Sequence, residues 1–453
     1  MFTAIELTNF KSFGHIRFDF KGKGKKYKDF VAVYGENGSG KSNFVSAIAL
    51  LPRLLLSLSD TFQLKILKKY LEDNKKIGQI TDLQDMINAY DSLSLNLGKY
   101  RTLECDERTV VRYEFVINNI QGYYEVAFRE EIEHEELYYM GSRQRGILYS
   151  VNKHEYSIDS KINSYAIYGN YREVIEDKIH QYWGKHSLLA ILQDEIQEKN
   201  KEYIEKSLSI HLLQVLLAFR DMYVQCRETK YIGYGYGCNS KLNVRNFESI
   251  EISRDCVSDM EKLKHVEKII NDFYTQTYSD IVSAFYRLAE TNDDNSETLR
   301  YNLFLRKIIA GKVREIPFSE ESAGTQSVLT VLRAVIEVIN GRTVIYDEID
   351  EGIHDLLMTN ILNSIQDDLG GQFIITTHNT TLLETISSDK AYVIYCDDNG
   401  NKDARCISDY GFRIQKTHNM RNLYLKGVFG GVPYSSQIDY STMHIDSIDG
   451  SEE

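Results

Sequence analysis

The sequence predicts an α/β fold: a mainly parallel core sheet, preceded by an antiparallel β-meander and split by an inserted helical region. Three observations carry that expectation. Short apolar runs ending in polar residues, "FVAVYG", "TVIYDE" and "QFIITTHN", read as buried strands of a sheet covered on both faces. Helical spacing follows or separates them in "SNFVSAIALLPRLLLSL", "SVLTVLRAVIEVI" and "DLLMTNILNSIQDDLG", which is the alternation of a parallel sheet. Period-two alternation marks both the N-terminal twenty or so residues and the stretch from Thr109 to about Met140 as antiparallel strands.

Taken in order, "FTAIELTNFKSFGHIRFDF" forms a strand pair broken near Gly14. "FVAVYG" is a buried strand, and the helix after it contains Pro52, which is expected to kink or divide it. Asn118-Asn119 and Gly122 punctuate the meander. From Tyr171 to about Glu290 the pattern becomes helical and charged, with a loop expected at "YIGYGYGCNS" and no sustained heptad register. Residues 328, 331, 332, 335, 336 and 339 then form one apolar helix face. "RTVIYDEID" and "GQFIITTHN" are strands flanking a helix stopped by Gly370 and Gly371, and "KAYVIYCDD" is one more strand. The division that follows is 1–140 and 301–400 for the two halves of the core, 141–300 for a mainly helical insertion, and 401–453 for an extension with the acidic tail "HIDSIDGSEE".

Composition narrows the classes. With 453 residues and 42% apolar content, the chain can bury one large core or two ordinary ones. A net charge of -13 argues against a polybasic coat for DNA or membranes. Six cysteines without a CxxC pair fit neither a disulfide framework nor a zinc knuckle, so a reducing cytoplasm is expected. Glu6 sits where a signal peptide needs an apolar run, and no uncharged apolar run approaches the roughly 20 residues of a membrane span. The basic stretch "KGKGKKYK" reads as a solvated hairpin tip, with nucleic acid the alternative.

The chemistry is concentrated in "GENGSGKSN", residues Gly35, Glu36, Asn37, Gly38, Ser39, Gly40, Lys41, Ser42 and Asn43. Glycines at that spacing let the backbone wrap phosphate oxygens. Lys41 offers a charge to the outer phosphates, and Ser42 can hold Mg²⁺ at a helix N-terminus. A P-loop needs carboxylates at a neighbouring strand end. "TVIYDEID" supplies Asp347 for the metal and Glu348 as a base for the attacking water. His378 ends another strand on the same edge, and Ser322, Gly324 and Thr325 open a helix whose amides and hydroxyls can hold an anion.

In the order P-loop, "SAGTQ", "DE", "TTH", the chain resembles ABC-type ATPases of the RecF/SMC/OLD-like branch. "IELTNFKSFG" looks like that branch's first strand pair, while "ESAGTQ", "DEIDEGIH" and "YLKGVFGGVP" look like the ATPases of bacterial anti-phage operons, such as RloA-type proteins and the ATPase subunits of PARIS and Septu systems. The resemblance covers about 1–140 and 300–435. It implies an ABC-ATPase head that binds ATP and Mg²⁺, with Gly35 to Ser42 as Walker A, Asp347 as Walker B acid, Glu348 as catalytic base and His378 as switch histidine. Ser322 to Gln326 would cap ATP held by a second copy, and Asp350 with its neighbours before His354 would form the D-loop of a homodimer or higher homo-oligomer. It further implies phage sensing, with a phage protein as trigger and a separate Toprim- or HNH-type nuclease as effector. A DNA-gripping repair or chromosome-maintenance ATPase is the alternative.

The chain departs from the pattern in places. "SAGTQ" differs from the transporter signature and the P-loop lies very far from Asp347, which argues against a membrane-transporter motor. Gln63, Gln79 and Gln84 all remain open for the Q-loop. The stretch after Lys390 is too short for a Toprim nuclease, and "CDDNGNKD" reads as a polar hairpin.

Overall fold

The computed structural model describes residues 1–22, 27–73, 95–139, 146–226, 247–253, 256–289, 298–411 and 419–432. Its centre is a six-stranded sheet. β3 (Phe30–Tyr34), β14 (Thr343–Tyr346), β15 (Gln372–Thr376), β16 (Ala391–Cys396) and the short β9 (Tyr223–Gln225) run parallel, and β17 (Lys402–Cys406) pairs antiparallel with β16. The order β17-β16-β3-β15-β14-β9 puts the strand of the glycine loop beside β15, and β15 beside β14.

Both faces of this sheet are covered, which explains its unbroken apolar strands. Val31 and Val33 of β3, Ile345 and Ile374 pack toward helix α1 (Lys41–Asp73). Phe30, Ala32, Tyr34, Val344, Tyr346, Phe373 and Ile375 pack on the other side, with helices α7 (Ala323–Ile339) and α8 (Asp355–Ser364). The period of two is what assigns alternate residues to the two layers.

Across α1 lies the antiparallel sheet, β1 (Phe2–Phe10) and β2 (Phe13–Asp19) joined to β4 (Thr109–Ile117), β5 (Ile120–Phe128), β6 (Ile132–Tyr139), β7 (Ile147–Lys153) and β8 (Ile158–Ile162) in the order β2-β1-β4-β5-β6-β7-β8. The expected meander is therefore present and extends through two further strands. Gln372 fastens it to the core sheet: its buried amide accepts from Phe2 N at 2.7 Å and donates to Phe2 O and Lys28 O at 2.9 Å each.

Several expectations need correction. Pro52 lies inside one continuous helix, with Leu50, Leu51, Leu54, Leu55 and Leu58 buried around it. Lining the ring with packed leucines offsets the loss of its single i to i-4 hydrogen bond. Helix α8 ends at Ser364, well before Gly370 and Gly371. The described residues of 141–300 carry strands beside their helices. They hold α2 (Tyr171–Tyr182), α3 (Leu188–Glu198), α4 (Lys201–Ser207), α5 (Ile210–Arg220) and α6 (Val257–Thr277), but also β7, β8, β9, β10 (Ser249–Ser253), β11 (Ile281–Leu288) and the start of β12 (Thr298–Ile309). The charged strands β11 and β12 cover α6 with one face only, so their sequence reads as amphipathic and is ambiguous between helix and strand.

β10, β11, β12 and β13 (Lys312–Pro317) form a third sheet of order β10-β12-β11 with β13 on β12. Its core joins Ile250, Ile270, Tyr274 and Leu305 to Leu329 and Leu332 of α7, which fixes where α7 begins. The predicted α7 face is buried at Val328, Val331, Leu332 and Val335, whereas Ile339 is exposed. "CDDNGNKD" is the expected hairpin, closed by Asp397, whose Oδ1 accepts from Asn399 N and Asn401 N. The "YIGYGYGCNS" loop, Cys238, Gln79, Gln84 and the acidic tail lie outside the described residues. Helix α1 is long and apolar enough to cross a membrane by length and composition, with a mean hydropathy of 1.4, but 78% of that stretch is buried inside the fold.

One buried carboxylate organises the helical layer. Glu135 of β6 accepts from Trp183 Nε1 at 2.8 Å, Leu188 N at 2.7 Å, Leu189 N at 3.3 Å and the hydroxyls of Tyr124 and Tyr149 at 3.1 and 3.0 Å. Full burial pushes its pKa up, against the pull of those donors. Glu135→Ala would strand five buried donors, two of them at the start of α3. It is expected to destabilise the protein by about 3–5 kcal/mol, as a lower urea midpoint with an unchanged m-value.

Candidate functional site

Strand ends at one edge of the parallel sheet bring the predicted residues together. β3 runs directly into Gly35, β14 into Asp347, and β15 into Thr377 and His378. Because β3, β15 and β14 are parallel neighbours, all three loops leave the sheet on the same side, where open α/β sheets place their ligands.

The glycine loop is built by close packing. A side chain at Gly40 would run into the Phe13 ring, whose Cζ lies 2.5 Å from the position of a Cβ. One at Gly35 would meet Ser39 Oγ at 2.5 Å and Ile394 O at 2.9 Å. Gly38 and Gly40 take φ of 82° and 111°, which only glycine adopts without strain. Lys41 Nζ donates to Gly35 O at 2.8 Å and Glu36 O at 3.0 Å, and Lys402 Nζ donates to Gly38 O at 2.6 Å. Asn43 Nδ2 donates to Ser12 Oγ at 2.7 Å, tying helix α1 to the β1–β2 turn. Ser42 is exposed in the first turn of α1, and the buried Ser39 Oγ has no hydrogen-bond partner among the described residues. The loop is thus a cradle with a polar atom buried in its wall.

One hydroxyl links the two strand ends opposite. Thr376 Oγ1 donates to Asp347 Oδ1 at 2.6 Å and accepts from Glu348 N at 2.7 Å. Asp347 is 5% exposed. Glu348 sits in the left-handed region at φ 51°, a conformation that costs a side-chain-bearing residue about 1 kcal/mol and turns its half-buried carboxylate off the strand line. Asp350 accepts from the peptide N–H of His378 at 3.1 Å, closing the loop after β14 onto the end of β15.

Electrostatics couple these groups. Burial lowers the pKa of Lys41, while Glu348, Asp347, Asp350 and Glu36 pull it back up. His378 is lowered by burial and then by Lys41, against Asp350, Glu348 and Asp347. Burial thus favours the neutral imidazole, which donates one hydrogen bond and accepts another.

Ser322 precedes α7, and Gly324 and Thr325 lie in its first turn. Ser322 caps α7, its Oγ accepting from Thr325 N at 3.2 Å and pairing with Thr325 Oγ1 at 2.9 Å. Gln326 Nε2 staples the preceding turn through Phe318, Ser319 and Glu321 carbonyls, and Tyr274 OH donates to Thr325 O at 2.8 Å. Gly324 is set against the loop after β14, since a Cβ there would lie 2.6 Å from Gly352 O. Ser322 and Ala323 are exposed.

Two groups escaped the sequence reading. Gln225 ends β9 beside β14, its carbonyl accepting from Asp347 N at 2.8 Å, whereas Gln63 is exposed on α1. A three-residue strand carries too little periodicity to be seen in "MYVQCR". Thr376 was visible in "IITTHN", but its bridging bonds depend on pairing between strands distant in sequence.

Residues 240–384 match the family described as "AAA domain, putative AbiEii toxin, Type IV TA system". That stretch is similar to an AAA-type ATPase domain. It contains Ser322, Asp347, Glu348 and His378, and spans about a third of the chain. No curated protein matches. Among solved structures, an SMC head bound to the C-winged helix domain of ScpA is 15% identical with a TM-score of 0.39, covering 89% of this chain and 96% of that one. The SMC head domain from Thermotoga maritima is 14% identical with a TM-score of 0.38, over 89% and 98%. An SMC head with an extended coiled coil bound to the C-terminal domain of ScpA, from Pyrococcus furiosus, gives 14% and 0.38 over 89% and 95%.

Proposed function

We propose that the chain is a Mg²⁺-dependent ATPase head, turning ATP and water into ADP and phosphate. It closes in pairs around ATP and controls a separate toxic nuclease in a bacterial anti-phage defence complex of the cytoplasm. The observation that carries the ATPase is the meeting of a glycine cradle, Asp347 with Glu348, and His378 at one sheet edge. The defence role rests on the motifs "ESAGTQ", "DEIDEGIH" and "YLKGVFGGVP", and is supported by the toxin system in the matched family's description.

The residues fit the proposed ligands. Loop amides and the unpartnered Ser39 Oγ suit phosphate oxygens, and Lys41 can exchange the carbonyls of Gly35 and Glu36 for the outer phosphates. Ser42 and Asp347 would hold Mg²⁺, which neutralises charge on the phosphoryl oxygens. Thr376 aims the Asp347 carboxylate, and Glu348 would take the proton of the attacking water. Neutral His378 would hydrogen-bond the terminal phosphate. Gln225, at the neighbouring strand end, is placed for the Q-loop role.

Ser322, Gly324 and Thr325 would complete the site from a second copy, because the exposed start of α7 makes its polar contacts outside the glycine loop of its own chain. Cells carrying the native operon with Lys41→Ala are expected to lose protection against phage in a plating assay, and undiminished protection would overturn the proposal. Stoichiometric, salt-dependent duplex binding by the isolated chain would replace it with a DNA-maintenance ATPase.

A further inference from the structure

The segment after the core sheet crosses the two loops that carry the glycine cradle and His378. Helix α9 (Met420–Leu425) packs the Tyr424 ring on Tyr34, the last residue of β3, at 5.7 Å between centroids. The Tyr424 hydroxyl donates to Gly431 O at 2.9 Å. Gly431, at φ 67°, lies so close that a Cβ on it would meet Val393 Cγ1 at 2.5 Å, Ile394 O at 2.9 Å and Gly35 Cα at 3.3 Å. Phe429 between them is 1% exposed, and its carbonyl accepts from Tyr410 OH at 2.5 Å.

The same segment grips the other loop. Arg421 Nε donates to Thr380 Oγ1 at 3.1 Å, and its Nη1 pairs with Glu384 at 3.3 Å. Tyr34 OH donates to Asn379 O at 3.2 Å. Tyr424 therefore packs on a side chain that is bonded to the residue after His378, while its own hydroxyl holds Gly431, which lies against the first residue of the glycine loop.

We propose that Tyr424 and Gly431 form a brace that fixes the entry of the glycine loop, making Tyr424 a positioning residue for nucleotide. The inference rests on the ATP reading. A phosphate cradle works through amides held in place before the ligand arrives. Gly35 is where β3 stops and the loop's curvature begins, so a shift there moves each amide that follows. The brace meets Gly35 from outside the core through Gly431, and the Tyr424 hydroxyl that holds Gly431 touches neither Lys41 nor the carboxylates in any hydrogen bond of the described residues.

Calorimetric titration of the full chain with MgATP tests this, alongside thermal unfolding without nucleotide. Tyr424→Phe keeps the ring on Tyr34 and removes only the hydroxyl. It is expected to weaken MgATP by about three- to tenfold, the worth of one hydrogen bond, with an unchanged unfolding temperature. Gly431→Ala forces a Cβ against Gly35 and is expected to weaken it by about tenfold or more. Should Gly431→Ala lower the unfolding temperature, Tyr424→Phe decides. Wild-type binding together with unchanged affinity in Tyr424→Phe overturns the brace alone. Failure of the wild-type chain to bind MgATP overturns the ATP reading and the brace with it.

Discussion

Lys41→Ala should abolish ATP retention. In the structure the ammonium is drawn into the loop by two carbonyls and held in the field of Glu348, Asp347, Asp350 and Glu36. Phosphate oxygens would take the place of those carbonyls and compete well for a partly desolvated charge. Losing two charge-assisted hydrogen bonds of about 1.5 kcal/mol each weakens binding by about 100-fold or more. The substitution leaves the packing of β3 and the buried stripe of α1 intact, so circular dichroism should match the wild type. Undiminished ATP affinity in calorimetry would remove the glycine loop from the site.

Glu348→Gln should bind ATP normally and turn it over about 10² to 10⁴ times more slowly, the usual contribution of a general base. The backbone supports that separation. The left-handed turn and the bond from Glu348 N to Thr376 Oγ1 do not depend on the carboxylate, so glutamine can occupy the same place without moving Asp347. A single-turnover assay with phosphate release as readout checks it. Equal rates in the two proteins would transfer the base role to another group, His378 being the nearest candidate by charge coupling.

Much of this was legible in the chain itself. The strands of the parallel sheet announce themselves because burial on both faces leaves only apolar residues in the runs "FVAV" and "FII", and the glycine loop because its spacing answers a steric demand of the backbone. Other features were hidden for definite reasons. Pro52 looked like a helix break because the leucines that compensate it act only once α1 is buried. The strand β11 falls in a stretch that reads as helix because one of its faces is solvated and its partner β12 is brought to it only by the fold. Gln225 and the Tyr424 brace depend on contacts across most of the chain, which no local pattern encodes. Conversely, Ser322 was recognisable as a cap, but its proposed ligand belongs to a second copy.

The most direct measurement of that last point is the solution mass of Glu348→Gln protein by light scattering, with and without MgATP. The non-hydrolysing chain is expected to double in mass when ATP is added, and Ser322→Arg in the same background to stay at its nucleotide-free mass while still binding ATP. Saturation with one ATP per chain and no change in mass would contradict a nucleotide clamped between two copies.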